Sequence, residues 1–107
     1  MINEQTITVI LVDDHPVVRD GYRRLLEQIP TIKVVAEADC GESGFDYYRK
    51  LSPDVLVLDL NMPGIGGLET IRRIKAYDER AHILVFSMHS NEIMMTGEFA
   101  RYAFVVR

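Results

Sequence analysis

The stretch that decides the fold is Val55-Leu-Val-Leu-Asp-Leu-Asn-Met-Pro-Gly-Ile-Gly-Gly67. Four apolar residues run without alternation into a single carboxylate, Asp59, and a turn rich in Pro and Gly follows. An unbroken apolar run reads as a strand covered on both faces, which is the habit of parallel sheets. A buried strand gains nothing from a charge unless that charge is paired, bound to a metal or reactive. Asp59 therefore marks a candidate site as well as the end of a strand.

The chain on either side repeats this unit. Thr6-Ile-Thr-Val-Ile-Leu-Val12 is a first strand, followed by Asp13-Asp14-His15-Pro16, with the proline suited to the first turn of a helix. Val18, Tyr22, Leu25, Leu26 and Ile29 then recur at three- and four-residue spacing. Lys33 to Glu37 is a short second strand, and Ser43 to Leu51 a second helix with Phe45 and Tyr48 among its apolar contacts. Ser52-Pro53-Asp54 ends that helix. Beyond Gly67, Leu68, Ile71 and Ile74 mark a third helix, and His82 to Ser87 is a fourth strand. Asn91 to Phe99 suits a short fourth helix interrupted by Gly97, and Tyr102 to Arg107 a fifth strand. Strands alternating with helices at this spacing imply βα units around a parallel sheet.

Length and composition bound the rest. A chain of 107 residues is expected to form one domain over 1–107, because it buries about two thirds of its unfolded surface around a single core. The formal charge of -4 argues against a nucleic-acid surface on this domain. The single cysteine, Cys40, forms no internal disulfide and fits a reducing compartment. No apolar run reaches the roughly 20 residues a membrane helix requires. A cytoplasmic setting without membrane contact is the expectation.

Parallel α/β sheets bind ligands beyond the carboxyl ends of their strands. That rule gathers Asp13, Asp14, Asp59 and Ser87 on one edge. Capping and turn formation would explain one such acid, but not acids at matching strand ends. Three converging carboxylates repel one another in a low-dielectric site, and a hard divalent cation relieves that repulsion. An all-oxygen set suits Mg²⁺. Asp59, the most strand-embedded, is the candidate nucleophile, attacking phosphorus to give an acyl phosphate. Asp13 and Asp14 would hold the ion, with the backbone carbonyl of Asn61 as a further ligand. Ser87 would donate a hydrogen bond to a phosphoryl oxygen.

Other features carry less. His15 and His89 have no second nitrogen or sulfur ligand at a zinc-like spacing and read as packing or hydrogen-bonding residues. The glycines at 64, 66 and 67 are followed by no Gly-Lys-Ser/Thr, and no G-x-G-x-x-G follows the first strand, so nucleotide sites are disfavoured. Arg19, Arg23 and Arg24 on the first helix, and Arg72, Arg73 and Lys75 on the third, read as solvated faces. The surface near Arg19 also suits docking of a phosphodonor protein.

Ile10 to Pro16, Pro53 to Pro63, Gly66-Gly-Leu68 and Leu84 to His89 together resemble the receiver domain of bacterial two-component response regulators. The Asp-Asp-His-Pro-Val-Val-Arg form is similar to the NarL/FixJ subclass with a LuxR-type helix-turn-helix, and to GacA/UvrY-like regulators. The resemblance covers residues 8–92, leaving 93–107 as an atypical tail. It implies a flavodoxin-like (βα)5 fold with parallel strand order 2-1-3-4-5. It further implies phosphoryl transfer from a sensor histidine kinase to Asp59, with Mg²⁺ on Asp13, Asp14 and Asp59 and Ser87 as switch hydroxyl. Such a domain performs partner-assisted self-phosphorylation and self-dephosphorylation, not turnover of an external substrate. Its DNA-binding, transcription-regulating half would lie beyond position 107, as would the family's fifth helix.

The tail departs from the family pattern of an aromatic residue three before a lysine. Phe104-Val-Val-Arg107 can overlay it, with Phe104 as switch aromatic and Arg107 in place of lysine. Arginine keeps the charge but not the compact ammonium. The alternative reading is therefore a receiver-fold interaction or dimerisation module with impaired switching. Sheet surface left open by the missing helix would favour a homodimer or a segment-exchanged oligomer. An aspartyl phosphatase would want a second acid at position 61, which is Asn.

Overall fold

The computed structural model describes residues 5–86 and the backbone of 104–106. Its elements are β1 (Ile7–Val12), α1 (Pro16–Glu27), β2 (Ile32–Ala38), α2 (Gly41–Leu51), β3 (Val55–Asp59), α3 (Gly66–Tyr77), β4 (Ile83–Phe86) and β5 (Phe104–Val106). They form one sheet in the order β2-β1-β3-β4-β5. The pairs β1–β2, β1–β3 and β3–β4 are parallel, as the unbroken apolar runs require. With this order and its flanking helices the chain has the flavodoxin-like receiver fold.

Period-2 alternation divides each strand between two layers. Ile10 and Val12, Leu56 and Leu58, Ile83 and Val85 face one side, where Tyr48 of α2 and Ile74 of α3 complete a core. Leu56, Leu58, Ile74 and Ile83 have no exposed surface, so truncating one of these to Ala costs about 2–5 kcal/mol. Val9, Leu11 and Val57 face the other side, against Tyr22 and Leu26 of α1. Close approach of α2 to α3 depends on Gly41, since a Cβ there would run into Oγ1 of Thr70. That buried hydroxyl is satisfied within its own helix, donating to the Gly66 carbonyl at 2.7 Å.

Four expectations are corrected. The strand β5 pairs antiparallel to β4, with Phe104 opposite Val85 and Val106 opposite Ile83, so the sheet is not parallel throughout. A short apolar strand can pair in either direction, and antiparallel pairing sets Phe104 beside Val85. On α1 the expected apolar face is half realised: Leu26 packs, whereas Leu25 is 62% exposed and Ile29 47%. Leu68, read as a core contact of α3, is 70% exposed. The helix α2 begins at Gly41, two residues before its expected start, because Cys40 already occupies the extended N-cap position. Ser87, His89, the expected helix between Asn91 and Phe99, and Arg107 lie outside the described residues.

Candidate phosphoacceptor and metal site

At the carboxyl edge, β1 and β3 are neighbours, while the chain leaves β1 into α1 on one face and β3 into α3 on the other. This reversal opens a crevice between the two strand ends. Asp13 sits there directly after β1, its N–H donating to the Ala38 carbonyl at 3.0 Å, and Asp59 is the last residue of β3. Both are 3% exposed.

Each of these two carboxylates divides its oxygens between two tasks. Oδ1 of Asp13 accepts from the His15 backbone N–H at 2.9 Å, and Oδ1 of Asp59 from that of Asn61 at 3.1 Å. These bonds form the tight loops expected of Asp as a turn former. Oδ2 of Asp13, Oδ2 of Asp59 and Oδ1 of Asp14 are buried and accept no hydrogen bond. Different oxygens of the same side chains thus form the turns and stay open to a ligand. Unpartnered buried acceptors are costly, and a cation is the group that would satisfy three together.

Charge and burial agree with this. Burial pushes the carboxyl of Asp59 above the ordinary carboxylate range, the Asn61 N–H opposes it, and the charges of Asp13 and Asp14 push it further up. The imidazole of His15 enters the same cluster, with Nδ1 at 2.7 Å from Asp13 Oδ1, 3.1 Å from Asp14 Oδ1 and 3.6 Å from Asp59 Oδ2. The hydrogen bond to Asp13 raises its pKa, against desolvation and with help from the neighbouring carboxylates. Asp13, Asp14, His15 and Asp59 offer ligand atoms that all lie within 4.8 Å of one another, a group that can hold a metal ion.

The loop is braced from α1. Arg19 donates from Nη1 to the Asp13 carbonyl at 2.7 Å and from Nε to Glu37 at 2.9 Å. Glu37 also accepts from Arg23 at 2.9 Å. These two arginines are therefore not a simply solvated face, as their spacing among acids suggested. Beyond Asp59, α3 starts close to the strand because Gly67 has no side chain. A Cβ at 67 would stand 2.6 Å from Leu60 Cα and 2.8 Å from Leu60 O.

Asp13, Asp14 and Asp59 are brought together at one strand edge, with exposed Asn61 two residues beyond Asp59. Ser87 and Arg107 lie outside the described residues. The backbone of Phe104 stands opposite Val85, and β5 runs from there toward Ile83, away from the edge that bears Asp59. His15, expected only as a packing or hydrogen-bonding residue, and Arg19, expected on a solvated or docking face, are both members of the site. The available signal was position, in the loop and first helical turn directly after Asp13-Asp14.

The model of the response regulator receiver domain matches residues 9–103. The chain belongs to this receiver family. Among curated relatives of this receiver, the nitrate/nitrite response regulator protein NarL of Escherichia coli K12 is 42% identical over 92 residues, 86% of this chain and 43% of that protein. The chain thus spans about two fifths of that relative's length. A LuxR-family two-component response regulator from Aurantimonas is 45% identical with a TM-score of 0.76, covering 90% of this chain and 69% of that one. The isolated receiver domain of RcsB from Salmonella enterica serovar Typhimurium, solved in the presence of the phosphomimetic BeF3-, is 35% identical with a TM-score of 0.74, covering 86% and 69%. RcsB bound to promoter rprA is 37% identical with a TM-score of 0.73, covering 81% of this chain and 45% of RcsB.

Proposed function

We propose that this receiver domain accepts a phosphoryl group on Asp59 from the phosphohistidine of a sensor histidine kinase, in the cytoplasm, and so controls a DNA-binding, transcription-regulating part of the full-length protein. A carboxylate oxygen of Asp59 attacks phosphorus, the N–P bond breaks, and an acyl phosphate forms as the imidazole departs. Asp13, Asp14 and Asp59, with the Asn61 carbonyl, would hold Mg²⁺. When bound, the ion neutralises the carboxylates and the incoming phosphoryl oxygens. Ser87 donates a hydrogen bond to the transferred group. The domain modifies itself and later loses the group to water, without turning over an external substrate.

The observation that carries this reading is the pair of buried, unpartnered oxygens, Oδ2 of Asp59 and Oδ2 of Asp13, at the switch point of the sheet. Support also comes from RcsB, whose receiver was solved with a phosphomimetic and whose longer form was solved on promoter DNA. A second reading, a receiver-fold interaction or dimerisation module with altered switching, is favoured by one feature, the antiparallel run of β5 away from Asp59.

Intact-mass spectrometry after incubation with acetyl phosphate tests the proposal, with and without Mg²⁺, beside Asp59→Asn. The expected result is the mass of one phosphoryl group, gained only with Mg²⁺ and only when Asp59 is present. No gain by the folded protein overturns it.

A further inference from the structure

The phosphoacceptor reading uses the carboxylates of the cluster and leaves its imidazole without a task. His15 is held over the site by its backbone. It is the extended N-cap of α1 (φ -103°, ψ 102°), and Pro16 behind it disfavours a helical conformation at position 15. Its Nδ1 lies 3.1 Å from Asp14 Oδ1 and 3.6 Å from Asp59 Oδ2, two of the unpartnered oxygens, and 2.7 Å from Asp13 Oδ1, which accepts the His15 backbone N–H. Adjacent ligands of an octahedral ion with bonds of about 2.1 Å stand roughly 3.0 Å apart, close to the separation of Nδ1 from Asp14 Oδ1 and somewhat under that from Asp59 Oδ2. The unpartnered oxygens on Asp13 and Asp59 belong to side chains only 5% and 3% exposed, so these donors are fixed in place. The imidazole is 52% exposed, and small ring rotations can complete the set.

We infer that His15 Nδ1 is an additional protein ligand when the cluster takes a divalent transition ion that accepts imidazole, such as Co²⁺. The inference rests on the reading of this cluster as a metal site. Mg²⁺ favours oxygen, so the carboxylates and the Asn61 carbonyl would hold it while the ring stays outside its coordination sphere. Imidazole suits the later first-row ions. The receiver site of this chain therefore discriminates between metals through one residue, and His15 raises its preference for nitrogen-accepting ions above what three carboxylates give.

Carboxylate sites favour Co²⁺ over Mg²⁺ to some degree without help, so the test is a difference between variants. The chain has three histidines, and replacing His82 and His89 by Gln leaves His15 as the sole imidazole. In that background, Co²⁺ and Mg²⁺ are titrated calorimetrically with and without His15→Asn, which keeps an N–H donor for Asp13. The expected result is roughly a tenfold or greater loss of Co²⁺ affinity with Mg²⁺ affinity changed less than about twofold. Pulsed EPR of the Cu²⁺-loaded chain is expected to show imidazole ¹⁴N modulation that His15→Asn abolishes.

Equal weakening of both ions would make His15 a brace for the loop and overturn the inference, as would no change in either. If Mg²⁺-dependent phosphoryl gain at Asp59 persists while Co²⁺ binding ignores His15, this inference alone falls. If neither ion binds the unaltered chain, the metal part of the proposed function falls with it.

Discussion

The hydroxyl of Tyr48 on α2 donates a 2.7 Å hydrogen bond to Oδ2 of Asp78, the residue that ends α3. The ring is 4% exposed and belongs to the core beneath both helices, so the bond ties a buried aromatic to a helix terminus. Asp78 is held below the ordinary carboxylate range, first by this bond and then by the Arg80 N–H. A depressed carboxylate contributes stability above its unfolded pKa and loses it as pH falls through the folded value. Tyr48→Phe is therefore expected to lower the Tm by about 5 °C near neutral pH. The gap should narrow in acid once Asp78 is protonated. Thermal melts of both proteins across the acid range check this, and a gap that widens in acid would refute it.

Much of this arrangement is legible in the sequence, for identifiable reasons. Asp13, Asp14 and Asp59 stand out because apolar runs end on them, and strand ends in parallel sheets share one edge. Choosing between Leu25 and Leu26 is harder, since a three- and four-residue period accommodates either; the direction in which α1 faces the sheet buries Leu26. The direction of β5 is not encoded in Phe104-Val-Val106, because a short apolar strand pairs equally well either way. The places of Arg19 and His15 in the site are hard to read for a related reason. Their partners, Glu37 and Asp59, are distant in sequence and meet them only through the fold.

The start of α3 predicts a backbone-limited defect at Gly67. A methyl group there meets Leu60 Cα and O, which cannot rotate away as a side chain would. Gly67→Ala is expected to cost about 1–3 kcal/mol in urea unfolding. It should also weaken metal binding, because relief must come from moving Leu60, the neighbour of Asp59. Gly66→Ala meets nothing within 4 Å, yet its φ of +75° strains any L-residue. It should destabilise with a smaller effect on metal affinity, as paired calorimetric titrations would show.

The brace from α1 to β2 predicts coupling between Arg19 and Glu37. Their side chains are 19% and 25% exposed, and the same guanidinium reaches the Asp13 carbonyl. A double-mutant cycle with Arg19→Ala and Glu37→Gln is expected to give about 1 kcal/mol of interaction energy. Lysine cannot span both acceptors with one compact head group, so Arg19→Lys should behave much like the alanine variant. Full recovery by lysine would show that charge alone matters.

The raised pKa of Asp59 predicts a trade of stability for binding. Burial is its first cause, so ionised Asp59 opposes folding. The stability it forgoes is present below the ordinary carboxylate pKa and lost as pH rises through the raised folded value. In the presence of a chelator near pH 7, Asp59→Asn is therefore expected to melt a few degrees above the unaltered chain. That advantage should vanish near pH 3, where Asp59 is protonated. Saturating Mg²⁺ should reverse the order at neutral pH, because an ion that binds only the folded state stabilises it by mass action. An Asn variant that is less stable than the unaltered chain in chelator would show that Asp59 is paired by a group other than a metal.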